Sequence, residues 1–306
     1  MDPNDKIDFI GIGAGRSGTT WLAECLREHP DIMLPQRTSS VGGEPMITTL
    51  KEDKELDFFT LGVRVADEVP FTNHERGLDW YLGKFPPAEP GKVRGEISPV
   101  YQRDPHSAGL IKQAFPNVRI IAILRNPPDM IYSLYWLHKN TSLREHERTF
   151  EEAIDLGYYL EAALYYRNFK RYFDLFPAEQ IHVIMFDDIK SDPAKVIRET
   201  YDFLEVRSDF SPAALTKKIN DRKIRSTFLK KTLLGAVALA KRAGLGAIMK
   251  RIGSSAKVYR LYYRVNIGKG GYPPMSVQMR NKLNEYYQDD VMKLESLLGR
   301  DLSAWL

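Results

Sequence analysis

Ile10-Gly11-Ile12-Gly13-Ala14-Gly15-Arg16-Ser17-Gly18-Thr19-Thr20-Trp21-Leu22 reads as a strand, a turn and the start of a helix. Asp8 to Ile12 is short and apolar enough for a buried strand, and small residues follow it. From Thr19 to His29 the apolar residues Trp21, Leu22, Cys25 and Leu26 recur at helical spacing. Such a turn aims backbone N–H groups and a helix N-terminus at one point, which suits an anion, phosphate above all. Two phosphate-loop patterns compete for these residues. Gly13-x-x-x-x-Gly18 has the spacing of the nucleoside-triphosphate loop, but Thr19 stands where that loop needs Lys, which argues against ordinary ATP or GTP hydrolysis. Gly13-x-Gly15-x-x-Gly18 matches the dinucleotide fingerprint, whose acidic partner roughly 20 positions on would fall near Gln36 and Arg37, neither acidic. What remains is an anion loop with its own cation, Arg16, and the hydroxyls of Ser17, Thr19 and Thr20 at the helix start.

A second unit of the same kind lies downstream. Val118 to Leu124 is a run of β-branched and aliphatic residues, followed by Arg125, a Pro-containing turn and a helix through Ser133. Parallel strands with crossover helices put both turns at one sheet edge. At 306 residues the chain suits one α/β domain with extensions. No run of about 18 apolar residues occurs, and Met1 to Lys6 lacks the apolar core of a signal peptide, so a cytoplasmic protein is expected. The single cysteine, Cys25, excludes an intrachain disulfide and reads as a core residue of the first helix. The six histidines show no metal-ligand spacing, and no metal is expected. The net charge of +4 is unevenly spread: residues 217–269 carry +14 and the remainder −10. That basic segment suits a solvated face, an acidic acceptor or a peripheral contact with anionic lipid. Its apolar pieces are too short to span a bilayer.

The loop from Arg16 to Leu22, with a helix ending His29-Pro30, resembles the 5′-phosphosulfate loop of the sulfotransferases that use 3′-phosphoadenosine 5′-phosphosulfate (PAPS). Further stretches resemble that family in order. Lys54-Glu55-Leu56-Asp57-Phe58-Phe59 is similar to its Lys-Glu-x-x-Phe-Phe, where the glycan-modifying branch has its general base, here Glu55. Glu52, His74 and His138 are the rivals for that role, since the small-molecule branch uses a histidine. Gly77 to Tyr81 resembles a Gly-x-x-Trp-Tyr helix, and Gly95-Glu96-Ile97-Ser98-Pro99-Val100-Tyr101 resembles Gly-Glu-x-(Ser/Thr)-Pro-x-Tyr at a strand end. Glycan sulfotransferases often have Lys where this chain has Ile97. Arg125 and Ser133 match the pair that grips the 3′-phosphate, and Lys269-Gly270-Gly271 matches the cationic loop that closes over it. A long helix over 157–176, a strand over 180–189 ending in Asp187-Asp188, a helix opened by Asp192-Pro193 and a last helix over 279–306 complete the expected order.

The resemblance implies a three-layer P-loop nucleotide-kinase-like fold, with a mostly parallel central sheet between helices, formed by a single domain over 1–306. The basic segment at 217–269 would be helical. It also implies in-line transfer of a sulfuryl group from PAPS to a hydroxyl or amine of a glycan, lipid or small natural product, with no nucleic-acid partner. Arg16, Ser17, Gly18, Thr19, Thr20, Arg125, Ser133, Lys269, Gly270 and Gly271 would hold the donor, and Arg16 and Glu55 would act on the reacting groups. Two alternatives stay open. One is a P-loop-like nucleotide kinase that uses Asp187-Asp188 for magnesium; the other is a non-catalytic homologue that binds PAPS or lipid.

Overall fold

The computed structural model describes residues 6–35, 55–61, 72–141, 148–155, 157–216, 223–224, 267–268 and 272–306. The chain divides into two compact units, one of Met1–Thr38, Lys51–Lys217 and Met275–Leu306, the other of Ser39–Leu50 and Lys218–Pro274.

The first unit is built on five parallel strands, β1 Phe9–Gly13, β2 Ile32–Met33, β3 Val93–Ile97, β4 Arg119–Leu124 and β5 Ile181–Met185, in the order β2-β3-β1-β4-β5. Ile10 of β1 lies opposite Glu96 on one side and Ile120 on the other. Among the described residues, the helices of eight or more residues in this unit are α1 Thr19–Glu28, α2 Ser107–Ala114, α3 Pro127–Thr141, α4 Tyr165–Phe173, α5 Pro193–Leu204 and α6 Val277–Leu298. They flank the sheet in the P-loop-like arrangement expected from the sequence. β1 and β4 read as near-continuous apolar runs because both faces are covered, whereas β3 carries the buried Arg94 and Glu96. Ile10, Ile12, Ile120, Ala122 and Leu124 share one core with Ile111 of α2, Ile131 and Tyr135 of α3, Phe169 and Tyr172 of α4, and Leu283 and Tyr287 of α6. The intervening Phe9, Ile121 and Ile123, also buried, point to the opposite face. The Tyr201 hydroxyl of α5 donates to the Cys25 carbonyl of α1, joining those two helices. Burial pushes the Cys25 thiol up to about 12, as fits a core residue and not a nucleophile.

Three boundaries differ from the sequence reading. The single helix expected over 157–176 is two, Tyr158–Ala162 and α4. The break is held by Asp290 of α6, whose carboxylate accepts the N–H groups of Tyr166 and Arg167 at 2.9 and 3.2 Å and so caps α4 from outside its own sequence. Asp187 and Asp188 do not end a strand but lie in the short helix Phe186–Ser191. The last helix stops at Leu298, where Gly299 caps it and the Glu295 carboxylate takes the Leu302 N–H. The helix opened by Asp192-Pro193 forms as expected, its Asp192 side chain accepting the Lys195 N–H.

In the second unit, Lys223–Ile224 pairs antiparallel with Ile267–Gly268. Apart from those four residues, the basic segment, together with Lys269, Gly270 and Gly271, lies outside the described residues.

Candidate active site at the strand ends

The connection leaving β1 crosses towards β2 while the one leaving β4 crosses to β5, so a crevice opens between the carboxyl ends of β1 and β4. The loop Ala14 to Gly18 fills one lip. Gly13 and Gly18 are fixed by their surroundings. A Cβ on Gly13 would meet the Pro99 carbonyl oxygen at 2.8 Å, and both residues have φ values, 135° and 105°, that side chains resist. Gly18 is the N-cap of α1, with no side-chain cap and no acid in the first turn, which leaves the helix N-terminus suited to an anion.

Arg16 and Arg125 meet across the crevice. Arg125, at the end of β4, donates from Nη1 to the Arg16 carbonyl at 3.2 Å and lies 4.8 Å over the Phe186 ring. Arg16 has the left-handed φ of 65° and donates from Nε to Ser133 Oγ at 3.0 Å. The structure therefore brings Ser133, two turns into α3, to Arg16. Ser17 Oγ and Arg125 Nε are buried with no hydrogen-bond partner among the described residues. The buried Tyr165 hydroxyl of α4 lies beside both residues. Orphaned polar atoms of this kind, at a bare helix N-terminus, are what a site built for a phosphate-bearing ligand presents in its absence. Thr19 is buried and Thr20 half-buried on the first turn of α1.

Glu55 reaches this edge of the sheet through β3. Ser98 donates its N–H to the Gly11 carbonyl, and the Pro99 turn abuts Gly13 and Gly15. The same strand end holds the segment that follows Glu55. Leu56 N–H donates to Glu96 Oε2 at 3.2 Å and Asp57 N–H to Ser98 Oγ at 3.0 Å. Phe58 and Phe59 N–H both donate to the Tyr101 hydroxyl, at 2.8 and 3.3 Å. Glu55 itself is half-buried. This anchoring was not legible in the sequence, although Glu96, Ser98 and Tyr101 are the polar residues of the Gly-Glu-x-Ser-Pro-x-Tyr motif. A glutamate inside a short strand, with hydroxyls two and five residues on, was the available signal.

His138, on α3, bonds through Nδ1 to the Tyr159 hydroxyl at 3.0 Å. Burial, reinforced by the Arg103 and Arg16 cations, pulls its pKa down to about 4, so it is neutral at pH 7. His74 Nδ1 lies 3.2 Å from the Phe58 carbonyl, against the same aromatic pair that follows Glu55. Glu52 lies outside the described residues. The Asp187-Asp188 pair is tied up in ion pairs, Asp187 with Lys190 at 2.6 Å and Asp188 with Arg300 at 2.8 Å. Among the described residues no group of three or more His, Cys, Asp or Glu could hold a metal ion, and no helix is long and apolar enough to cross a membrane.

The sulfotransferase domain family model matches residues 6–295. The bifunctional heparan sulfate N-deacetylase/N-sulfotransferase 3 of Homo sapiens is 24% identical over an alignment covering 97% of this chain and 31% of that protein. Heparan sulfate glucosamine 3-O-sulfotransferase 3B1 of Mus musculus is 26% identical, over 65% of this chain and 46% of its own. The chain thus spans about a third to a half of these relatives. A sulfotransferase from Alicyclobacillus acidocaldarius has the same fold, with a TM-score of 0.67 and 24% identity over 98% of both chains.

Proposed function

As the chain belongs to the sulfotransferase domain family, we propose that it transfers a sulfuryl group from PAPS to a hydroxyl or amine of a glycan acceptor, with Glu55 as general base. The observation that carries the reading is the convergence of Arg16, Arg125, Ser17 Oγ and the α1 N-terminus on the β1/β4 crevice, with buried donors that lack partners. When bound, PAPS supplies the sulfuryl group, whose bond to the 5′-phosphate oxygen breaks as the bond to the acceptor forms. The α1 N-terminus, Ser17 and Thr19 would hold the 5′-phosphate, and Arg16 would stabilise charge on the leaving oxygen. Arg125 would hold the 3′-phosphate, for which its fork of donors is matched in shape. Ser133, Lys269, Gly270 and Gly271 belong to the same proposed grip. Glu55 would take the proton lost by the acceptor. The glycan class rests on the heparan sulfate relatives, and the match to the sulfotransferase domain model favours sulfuryl transfer over the kinase alternative.

The desulfated product, 3′-phosphoadenosine 5′-phosphate (PAP), is expected to bind far more tightly than adenosine 5′-phosphate. Arg125→Ala is expected to cost about 1.5–3 kcal/mol of PAP binding, the value of hydrogen bonds to a charged group. Titration calorimetry of both nucleotides on both proteins measures this, and equal affinities for the two nucleotides overturn the assignment of the 3′-phosphate grip. Radiolabelled PAPS offered with fractionated glycans then identifies the acceptor.

A further inference from the structure

Glu96 is a fully buried carboxylate with no ion pair among the described residues, and every group bonded to it is a donor. Ser98 Oγ donates to its Oε2 at 2.5 Å and the Tyr101 hydroxyl to its Oε1 at 2.6 Å. Both hydroxyls are already acceptors, Ser98 for Asp57 N–H and Tyr101 for Phe58 and Phe59 N–H, so their protons are directed at Glu96. Leu56 N–H reaches Oε2 directly. Four consecutive backbone amides, 56 to 59, therefore end on one carboxyl group, either directly or through a single hydroxyl. Asp290 caps a helix; here the object held is an irregular strip of chain whose neighbour is Glu55, and the buried Asp104 carboxylate continues the hold by accepting the Thr60 hydroxyl and the Leu61 N–H.

We infer that Glu96 is the positioning residue for the acceptor-side base: through Ser98 and Tyr101 it fixes the backbone of residues 56–59, and with it the direction of Glu55. The inference rests on the reading of Glu55 as base and adds to it the group that holds that base in place. A carboxylate suits this task because it presents acceptors only. Gln in its place turns an NH2 towards either Tyr101 or the Ser98 and Leu56 donors, setting donor against donor in a site without water-exposed alternatives.

Protonation of Glu96 would do the same. Burial pushes its pKa up to about 7 against the opposing pull of the Ser98, Tyr101 and Leu56 hydrogen bonds. The other titratable groups facing it are Tyr81 from the helix Leu78–Leu82, Tyr101 from the turn after β3 and Asp57 from the held segment, with Arg94 near Tyr81 on the same strand. Below neutrality the carboxyl acquires its own proton, which must be given to Ser98 or Tyr101, and one amide link is lost.

The test compares wild type with Glu96→Gln, Tyr101→Phe and Glu55→Gln. It reads PAP affinity, residue-resolved amide exchange over residues 55–61, and PAPS turnover on N-desulfated heparan sulfate from pH 6 to 9. In Glu96→Gln, exchange at 56–59 is expected to quicken about tenfold or more and kcat to fall about 10–100-fold, with PAP affinity and the donor KM within about twofold. The wild-type fall in kcat below neutrality is expected to disappear from its pH profile. Tyr101→Phe should quicken exchange at 58 and 59 alone, which separates loss of this link from general loosening of the fold. Unchanged exchange at 56–59 overturns the inference, as does faster exchange with kcat and its pH profile unaltered. If Glu55→Gln turns over normally, the base assignment fails, and the hold of Glu96 on the segment is then decided by the exchange data alone. The same data decide it if this acceptor is not used.

Discussion

Glu55→Gln is expected to leave PAP affinity within about twofold of wild type and to lower turnover by about 10²–10⁴-fold, the usual contribution of a positioned general base. The substitution keeps shape and hydrogen-bonding length but removes the proton acceptor. Donor binding should be spared because the groups proposed to hold PAPS belong to the β1 and β4 turns, to α1 and α3 and to Lys269-Gly270-Gly271, whereas Glu55 is carried by the strip tied to the end of β3. His138 is the informative control. It is neutral at pH 7 and sits in the field of Arg16 and Arg103, which oppose its taking up a proton. Its Nδ1 is engaged with the Tyr159 hydroxyl, so His138→Ala should lower turnover less than Glu55→Gln. His74→Ala tests the other ring, which packs on Phe58 and is expected to act only through that contact. Steady-state turnover and PAP titration on the three variants check this; near-normal turnover in Glu55→Gln with a large loss in either histidine variant moves the role to that histidine.

The sequence showed most clearly what is local. A β-branched run followed at once by a small-residue turn and a 3.6-residue apolar period specifies strand, loop and helix with no help from distant residues. β1 with α1 and β4 with α3 were accordingly legible, and so were Arg16 and Arg125 at their turns. Where a distant side chain decides, the local sequence carries no sign of it. The break between Ala162 and Tyr165 depends on Asp290, more than a hundred residues away, and nothing in Gly157 to Phe176 announces it. The anchoring of residues 56–59 by Glu96, Ser98 and Tyr101 is of the same kind, since each partner lies about forty residues from the amides it holds. Ser133 shows the intermediate case. Its helical position was legible from the spacing, but its bond to Arg16 depends on how two turns meet across the sheet.

Arg16→Ala is expected to lower kcat by about 10²–10³-fold, the range found when one donor aimed at developing charge is removed. Arg16 is held at a φ of 65°, a conformation costly for a residue with a side chain, by a loop whose flanking Gly13 and Gly18 are themselves fixed. Arg125 takes its carbonyl and Ser133 takes its Nε–H, so both ends of the residue are oriented by groups at the crevice. A side chain held this way meets little reorganisation cost when charge develops beside it, and that condition favours the transition state over the bound donor. The loss should therefore appear in kcat more than in PAP affinity. Arg16→Lys separates charge from orientation. Lysine restores the cation but lacks the planar fork and the Nε–H that Ser133 accepts, so it should recover part of the rate, and Ser133→Ala in the wild-type background should lose about as much as Arg16→Lys fails to recover. Single-turnover transfer from labelled PAPS, measured with PAP affinity for each protein, decides it. An Arg16→Ala enzyme that loses donor affinity while keeping kcat would show that the guanidinium serves binding alone, and the stabilisation of the leaving oxygen would then fall to the N–H groups at the start of α1.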